Sequence, residues 1–148
     1  EDEAFAHGVR SYIKNGMVRE ITPGLVDAMI ESFVPDPRLA VFTHTAGGAV
    51  KRVGELDTAF PHRTAETMIM VGGGWMDPAM DDEAIAIARN WFRQLEPFTG
   101  GYYDNIQADT SAPNSGSFGP AHERLAQIKG QYDPGNQFRL NRNIEPAA

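Results

Sequence analysis

Two adjacent tyrosines, Tyr102 and Tyr103, are the side chains of this sequence whose type and spacing best suit chemistry. Consecutive residues of an extended strand point to opposite faces, so one phenol is expected to face a pocket if the other is buried. A phenol serves as a general base only when positive charge or hydrogen bonding lowers its pKa from about 10. Position alone therefore favours core packing of the pair over a catalytic role.

The other candidate sites have weaker patterns. Residues 138–144 carry several amide and guanidinium donors, which suit a polar partner, but their composition alone favours a solvated terminus. Gly72–Gly74 follows an apolar run but matches neither GxGxxG nor GxxxxGKS/T, which favours strand termination or a close backbone approach over phosphate binding. The four histidines have no partner at i+3 or i+4 and no cysteine is present, so no metal site is expected.

The spacing of apolar residues predicts a mixture of helices and strands. Helices are expected to begin at Thr22-Pro23, after Asp81-Asp82 and at Pro120, where capping, acidic or proline residues precede apolar residues at helical spacing. Apolar, β-branched or aromatic runs predict strands at 11–14, 39–43, 49–53, 67–71 and 102–106. Because strands and helices do not alternate strictly, we expect an α+β fold with a largely antiparallel sheet and helices packed on one face.

The chain of 148 residues has the size and composition of one ordinary domain. Its net charge of −7 and its scattered lysines and arginines argue against a nucleic-acid partner. No apolar run approaches the roughly 18 residues that cross a bilayer, so no membrane span is expected. The absence of cysteine removes disulfides, thiolate nucleophiles and a cysteinyl link to a cofactor. No targeting segment is visible in residues 1–7, which favours a cytoplasmic location.

Several short motifs follow one another in a specific order. In the second half of the chain they are Tyr103-Asp104-Asn105, Phe118-Gly119-Pro120, Leu125, Ile128-Lys129 and the run YDPGNQFRLNRNIEP at 132–146. The first half contains GGAV at 47–50, TAFPHR at 58–63 and WMDP at 75–78. These residues resemble berberine bridge enzyme-like proteins, whose closing segment has YxN, YG, RL, K, YDPxNxF and NQNI in the same order. The resemblance covers nearly the whole chain.

The resemblance implies a flavin-dependent oxidation. In this family a larger N-terminal domain of the vanillyl-alcohol oxidase type holds FAD, and no such domain is among the 148 residues. Residues 1–100 resemble the latter part of the substrate domain, whose antiparallel sheet covers the isoalloxazine ring. Residues 101–148 resemble the C-terminal segment of the family. An FAD-binding domain is then expected in cis or as a separate chain, together with a small-molecule substrate.

The implied reaction is a two-electron oxidation of a C–H bond next to oxygen or nitrogen, with hydride passing to flavin N5 and dioxygen reoxidising the flavin. By matching position, Tyr103 is the implied catalytic residue, and Asn105, Asn141 and Arg142 are implied cofactor contacts. Ile106 stands where the family often has tyrosine or phenylalanine, a tyrosine there sometimes serving as base, and Arg142 stands where the family commonly has glutamine. A standalone small-molecule-binding or cofactor-free catalytic domain, or a purely structural role, is the alternative, and the substrate stays open.

Overall fold

A three-stranded antiparallel sheet forms the centre of the protein. The computed structural model describes residues 7–109, 114–140 and 142–147. The strand order is β1–β3–β2, with β1 at Arg10–Val18, β2 at Leu39–Thr45 and β3 at Thr67–Trp75. Because β3 pairs with a neighbour on both sides, most of its residues are buried.

Two helices, α1 (Pro23–Glu31) and α2 (Asp81–Leu95), cover one face of this sheet. The Thr22 hydroxyl caps α1 by accepting a hydrogen bond from the Leu25 amide at 3.2 Å. In α2 the acidic first turn lies at the positive end of the helix dipole, and the buried residues recur at helical spacing. The helices and the sheet bury one common core, which includes Trp91, Phe92, Leu95, Ile69 and Val71.

Methionine side chains form a smaller core on the opposite face of the sheet. Met17, Met68 and Met70 are only 5%, 9% and 6% exposed. Phe60, from the loop before β3, and Tyr103, from the segment after α2, pack against them. We call this side, defined by the three methionines, the methionine face. Its cover therefore comes from a loop and an irregular segment.

The C-terminal part of the chain contains α3 (Asn114–Phe118) and α4 (His122–Tyr132). Arg124 of α4 donates a hydrogen bond to the Leu56 carbonyl oxygen at 2.7 Å, which ties this helix to the loop before β3. In the part of the chain that the structure describes, no helix is long and apolar enough to cross a membrane.

The architecture confirms the expected α+β class, the antiparallel sheet and the helices on one of its faces. Two predicted strands are wrong, because 49–53 and 102–106 contain short 3₁₀ turns at Val50–Arg52 and Asp104–Ile106. The first turn closes on itself, since the Val50 amide donates to the Gly47 oxygen at 3.2 Å. The second turn forms because the Asn15 side chain of β1 binds both backbone groups of Tyr103, the residue just before the turn.

Gly72–Gly74 continues β3, whereas the sequence predicts that the strand ends there. A Cβ atom on Gly72 would collide with the Tyr12 carbonyl oxygen, and one on Gly73 with the Arg38 carbonyl oxygen. The neighbouring backbones approach β3 so closely that only glycine fits. The glycines therefore belong to the sheet, through the close backbone approach that was one of the two expectations for them.

Candidate functional site

The segment that follows α2 runs along the outer edge of β1. Met17 exchanges two backbone hydrogen bonds with the 100–101 dipeptide, at 2.7 and 2.8 Å. Further along, the Ala108 amide donates to the Ile13 carbonyl oxygen at 2.9 Å. Between these two attachments the chain leaves the edge and forms the 3₁₀ turn Asp104–Ile106.

The side chain of Asn15 fills the gap between the two attachments. Its Oδ1 accepts a hydrogen bond from the Tyr103 amide at 2.6 Å, and its Nδ2 donates to the Tyr103 carbonyl oxygen at 2.8 Å. The Asn15 backbone amide donates to Oε1 of Gln107 at 3.1 Å. Asn15 is only 1% exposed, so both ends of its carboxamide have the partners that burial demands. The side chains of Asn15 and Gln107 thus make the hydrogen bonds that backbone groups would make if residues 102–106 formed the predicted strand.

Tyr103 and Asn105 meet at the edge of the methionine face. Nδ2 of Asn105 donates a hydrogen bond to the Tyr103 hydroxyl oxygen at 2.7 Å. The Tyr103 ring packs against the methionines and lies edge-on to Phe60, with ring centroids 6.1 Å apart. Because its oxygen accepts from Asn105, the hydroxyl can give its own hydrogen to a second acceptor. The pair can therefore donate to a ligand oxygen, and Asn105 can stabilise negative charge on the phenol oxygen.

Arg142 lies beside the same turn, and its charge is paired within the chain. Its Nε is 3.0 Å from Oδ1 of Asp104, and the two side chains are only 11% and 13% exposed. The guanidinium also lies over the Tyr102 ring, 5.4 Å from the centroid, and donates to the Asp109 carbonyl oxygen. This partly buried pair attaches residues 142–147 to the 3₁₀ turn.

A charged cluster anchors the far end of the segment to the helix-covered face. Asp109 forms ion pairs with Arg89 at 2.7 Å and Lys14 at 3.4 Å, and Nε of Arg89 donates to the Tyr12 hydroxyl oxygen at 2.9 Å. Burial and the neighbouring Asp109 raise the pKa of Tyr12 to about 12. Burial also acts to raise the pKa of Asp109, but hydrogen bonds from Arg89 and Tyr12 hold it below its usual value. Tyr12 is therefore a protonated structural residue.

His62 connects this segment to α3. Its Nε2 lies 3.1 Å from the Tyr102 carbonyl oxygen and 3.0 Å from that of Ser117, so this nitrogen carries the hydrogen. Burial lowers the pKa of His62, although both carbonyl bonds act in the opposite direction. The neutral ring thus serves as a structural donor. Among the residues that the structure describes, no group of histidine, aspartate and glutamate side chains could hold a metal ion.

An apolar groove of about 470 Å³ lies where β2 and β3 meet at one end of the sheet. Phe42 and Met76, which are 47% and 65% exposed, line it beside Gly72 and Gly74, which add no side chains. Arg38 is the one charged residue in its described lining, and this arginine is ion-paired. The groove therefore suits a flat, apolar ligand group.

Three of the four site residues implied by the family resemblance come together at the 3₁₀ turn. Tyr103 and Asn105 are hydrogen-bonded to each other. Arg142 forms an ion pair with Asp104, which is the residue between those two in the sequence. Asn141 lies outside the described residues. The structure thus groups Tyr103, Asn105 and Arg142 around one turn.

Asn15 and Gln107 are the residues of this site that sequence reasoning missed. Each holds the segment through a side-chain hydrogen bond to distant backbone. The available signal was a single amide, Asn15, in the middle of a strand whose neighbours are largely buried. A polar residue at such a position needs a partner, but nothing in the local sequence says which one.

Comparisons with known proteins connect this chain to FAD-linked oxidoreductases. A family model described as "Berberine and berberine like" matches residues 108–145. The uncharacterized FAD-linked oxidoreductase YvdP of Bacillus subtilis is 31% identical over 103 residues, which are 68% of this chain and 23% of that protein. The aclacinomycin-N/aclacinomycin-A oxidase of Streptomyces galilaeus is 28% identical over 126 residues, which are 72% of this chain and 23% of the oxidase.

A solved structure extends the similarity to the fold. The glycopeptide hexose oxidase DBV29, complexed with teicoplanin, is 26% identical with a TM-score of 0.81, and the match covers 94% of this chain and 33% of the oxidase. The chain spans about a quarter to a third of the length of the curated relatives it matches. The fold described here therefore corresponds to one part of each relative.

Proposed function

Because the chain belongs to the berberine bridge enzyme-like family of FAD-linked oxidoreductases, we propose that it forms the part of such an enzyme that lines the substrate pocket and covers the flavin. The observation that carries this proposal is the Tyr103–Asn105 pair, which a fixed turn holds at the edge of the methionine face. Within this proposal, residues 1–100 belong to the substrate domain and residues 101–148 to the C-terminal segment. Activity then requires an FAD-binding domain beyond these 148 residues, in cis or as a separate chain.

The proposed reaction removes two electrons from a C–H bond next to oxygen or nitrogen in a small molecule. Bound FAD would accept the hydride and pass the electrons to dioxygen. Tyr103 holds the substrate heteroatom by a hydrogen bond or, as a phenolate, takes its proton, and Asn105 stabilises the negative charge that the phenolate oxygen carries before the proton is transferred. Ile106, the next residue, adds apolar surface to this side of the sheet.

The described residues fit the flavin ring better than the diphosphate of FAD. Tyr103 and Asn105 offer uncharged donors beside an apolar surface, which suits the polar edge and the flat face of a ring. A diphosphate is usually bound by available cations or by a helix N-terminus. Here Arg142 and the two cations at Asp109 are ion-paired. We therefore assign the diphosphate to the FAD-binding domain and Asn105 to the ring. Arg142 and Asn141 are assigned to the ring by the family resemblance alone.

Exposed apolar residues at the end of α4 and after it provide the proposed docking surface for the FAD-binding domain. Tyr132, Phe138 and Leu140 are 79%, 82% and 87% exposed, the highest values among the large apolar side chains described. Asp133 fixes the intervening backbone by accepting hydrogen bonds from the amides of Gln137 and Phe138 at 2.8 and 3.0 Å. A fixed turn that holds large apolar side chains in water is typical of a surface that a partner covers.

The visible spectrum and intact mass of the natural protein test this proposal. We expect flavin absorbance from a polypeptide longer than 148 residues, or from a complex of this chain with a second one. A colourless protein of 16.2 kDa that binds a small molecule would contradict the proposal. That result would favour the alternative of a standalone binding or cofactor-free catalytic domain, for which the groove of about 470 Å³ beside Phe42 is the supporting feature.

A further inference from the structure

Alternate residues of β1 direct their backbone groups away from β3, toward the outer edge of the sheet. Ile13 and Met17 meet backbone partners there, whereas the Asn15 amide meets the side-chain oxygen of Gln107 at 3.1 Å. The Asn15 side chain in turn bonds both the amide and the carbonyl of Tyr103, at 2.6 and 2.8 Å. Two carboxamides therefore supply the hydrogen bonds that the backbone does not make at this edge. They do so beside Tyr103, the residue that carries the proposed catalytic phenol.

We propose that Asn15 is a positioning residue, which sets the backbone of Tyr103 so that the following turn returns Asn105 to the Tyr103 hydroxyl. This inference rests on the proposed function, in which that pair forms the polar edge of the substrate pocket. An uncharged carboxamide of this length can both accept from an N–H and donate to a C=O group. Since Asn15 is 1% exposed, a mismatch at either end leaves a buried polar group without its partner.

Three substitutions separate the parts of this arrangement. Asn15→Asp keeps nearly the same volume and the acceptor for the Tyr103 amide, but it sets a carboxylate oxygen against the Tyr103 carbonyl oxygen. Asn105→Leu breaks the contact with the hydroxyl from the exposed side of the turn and leaves Asn15 in place. Gln107→Leu removes the second carboxamide and leaves both bonds between Asn15 and Tyr103.

Nuclear magnetic resonance of the full chain, with tyrosine labelled by ¹³C at Cζ, tests the proposal without any substrate. The sequence has four tyrosines, and Tyr103→Phe identifies the Tyr103 signal. We expect Asn15→Asp to move that signal to the position found in Asn105→Leu, while Gln107→Leu leaves it closer to the unmodified position. We also expect hydrogen exchange at the Tyr103 amide to be as slow as at the paired Met17 amide, and about tenfold faster in Asn15→Asp.

Two results would overturn the proposal. The first is a Tyr103 amide in the unmodified chain that exchanges as fast as amides of exposed loops, a measurement that requires no variant to fold. The second is a folded Asn15→Asp chain whose Tyr103 signal stays at the unmodified position, as expected if Asn15 only supports the sheet edge. Failure of the proposed function is distinguishable, because it shows as absent flavin in the natural protein and neither resonance measurement involves flavin.

Discussion

The two faces of the sheet are built from different side chains and covered in different ways. On the helix-covered face Trp91, Leu95 and Val71 are at most 1% exposed, and two helices pack along the strands. On the methionine face Met68 and Met70 keep 9% and 6% exposure, and the cover is a loop and an irregular segment. Loops and turns on a rigid scaffold commonly carry binding residues, whereas packed helices carry stability. Within the proposed function, folding therefore depends on one face and ligand contact on the other.

The choice of side chains follows the same division. The helix-covered core is rich in branched and aromatic residues, which fill a fixed shape. Methionine is unbranched and flexible, so a methionine surface adapts to ligands of different outline. We therefore expect substitutions on the helix-covered face to change the free energy of unfolding. Substitutions at the turn over the methionine face are expected to change the rate of flavin reduction.

Trp91→Ala should produce the largest loss of stability. Trp91 is 1% exposed and lies edge-on to Phe33, with ring centroids 5.8 Å apart, so its removal leaves a cavity between the helices. We expect a loss of about 3–5 kcal/mol in the free energy of unfolding, measured by urea denaturation. The control Met68→Leu on the methionine face nearly conserves volume and should cost less than about 1.5 kcal/mol. Equal losses in both variants would break the proposed division between the faces.

Arg142→Gln should have an intermediate effect. It leaves the Asp104 carboxylate, which is 13% exposed, without its counter-charge. We expect a loss of about 1–3 kcal/mol in the free energy of unfolding, below the usual value for a fully buried pair. Arg139→Gln is the matched control, because Arg139 is exposed, and it should change stability by less than about 0.5 kcal/mol. Similar losses in the two variants would show that the buried pair does not fix the end of the chain.

The smallest expected effect is a pH dependence at the start of β2. Hydrogen bonds from the Arg38 side chain and backbone lower the pKa of Asp36 to about 2, from an ordinary value of 3.8. The folded-state pKa is the lower one, so this contribution to stability is present above about pH 4 and is lost as the pH falls toward 2. The change is small because solvent screens such pairs near the surface. Thermal unfolding at pH 5 and pH 2.5 should differ less in Asp36→Asn, and an unchanged difference would contradict this assignment.

Local pattern was enough to predict the fold class, the long helix α2 and the strands that became β1, β2 and β3. It failed at 102–106, where the aromatic pair favours a strand but the structure has a turn. The cause lies 88 residues away, where the Asn15 side chain captures the Tyr103 backbone. The spacing of apolar residues reports only on neighbours in the sequence. It therefore cannot predict that a distant side chain will bind backbone groups that would otherwise pair with a strand.

The same limit applies to the candidate site. Family motifs identified Tyr103 and Asn105, which the structure joins by a hydrogen bond. They also identified Arg142, but only the folded structure shows that Asp104 is its ion-pair partner. The motif thus located the region, and tertiary contacts show which of its side chains pair with each other within the chain.

Tyr103→Phe in the FAD-loaded protein tests the central claim most directly. Rapid mixing with a substrate gives the rate of flavin reduction, and denaturation of the same variant gives its stability. We expect flavin reduction to slow by about 100-fold or more, because the hydroxyl that holds the substrate or takes its proton is gone. The free energy of unfolding should fall by only about 1 kcal/mol, since a single hydrogen bond with Asn105 is lost. A Tyr103→Phe protein that reduces flavin at the unmodified rate would contradict the assignment of chemistry to the methionine face.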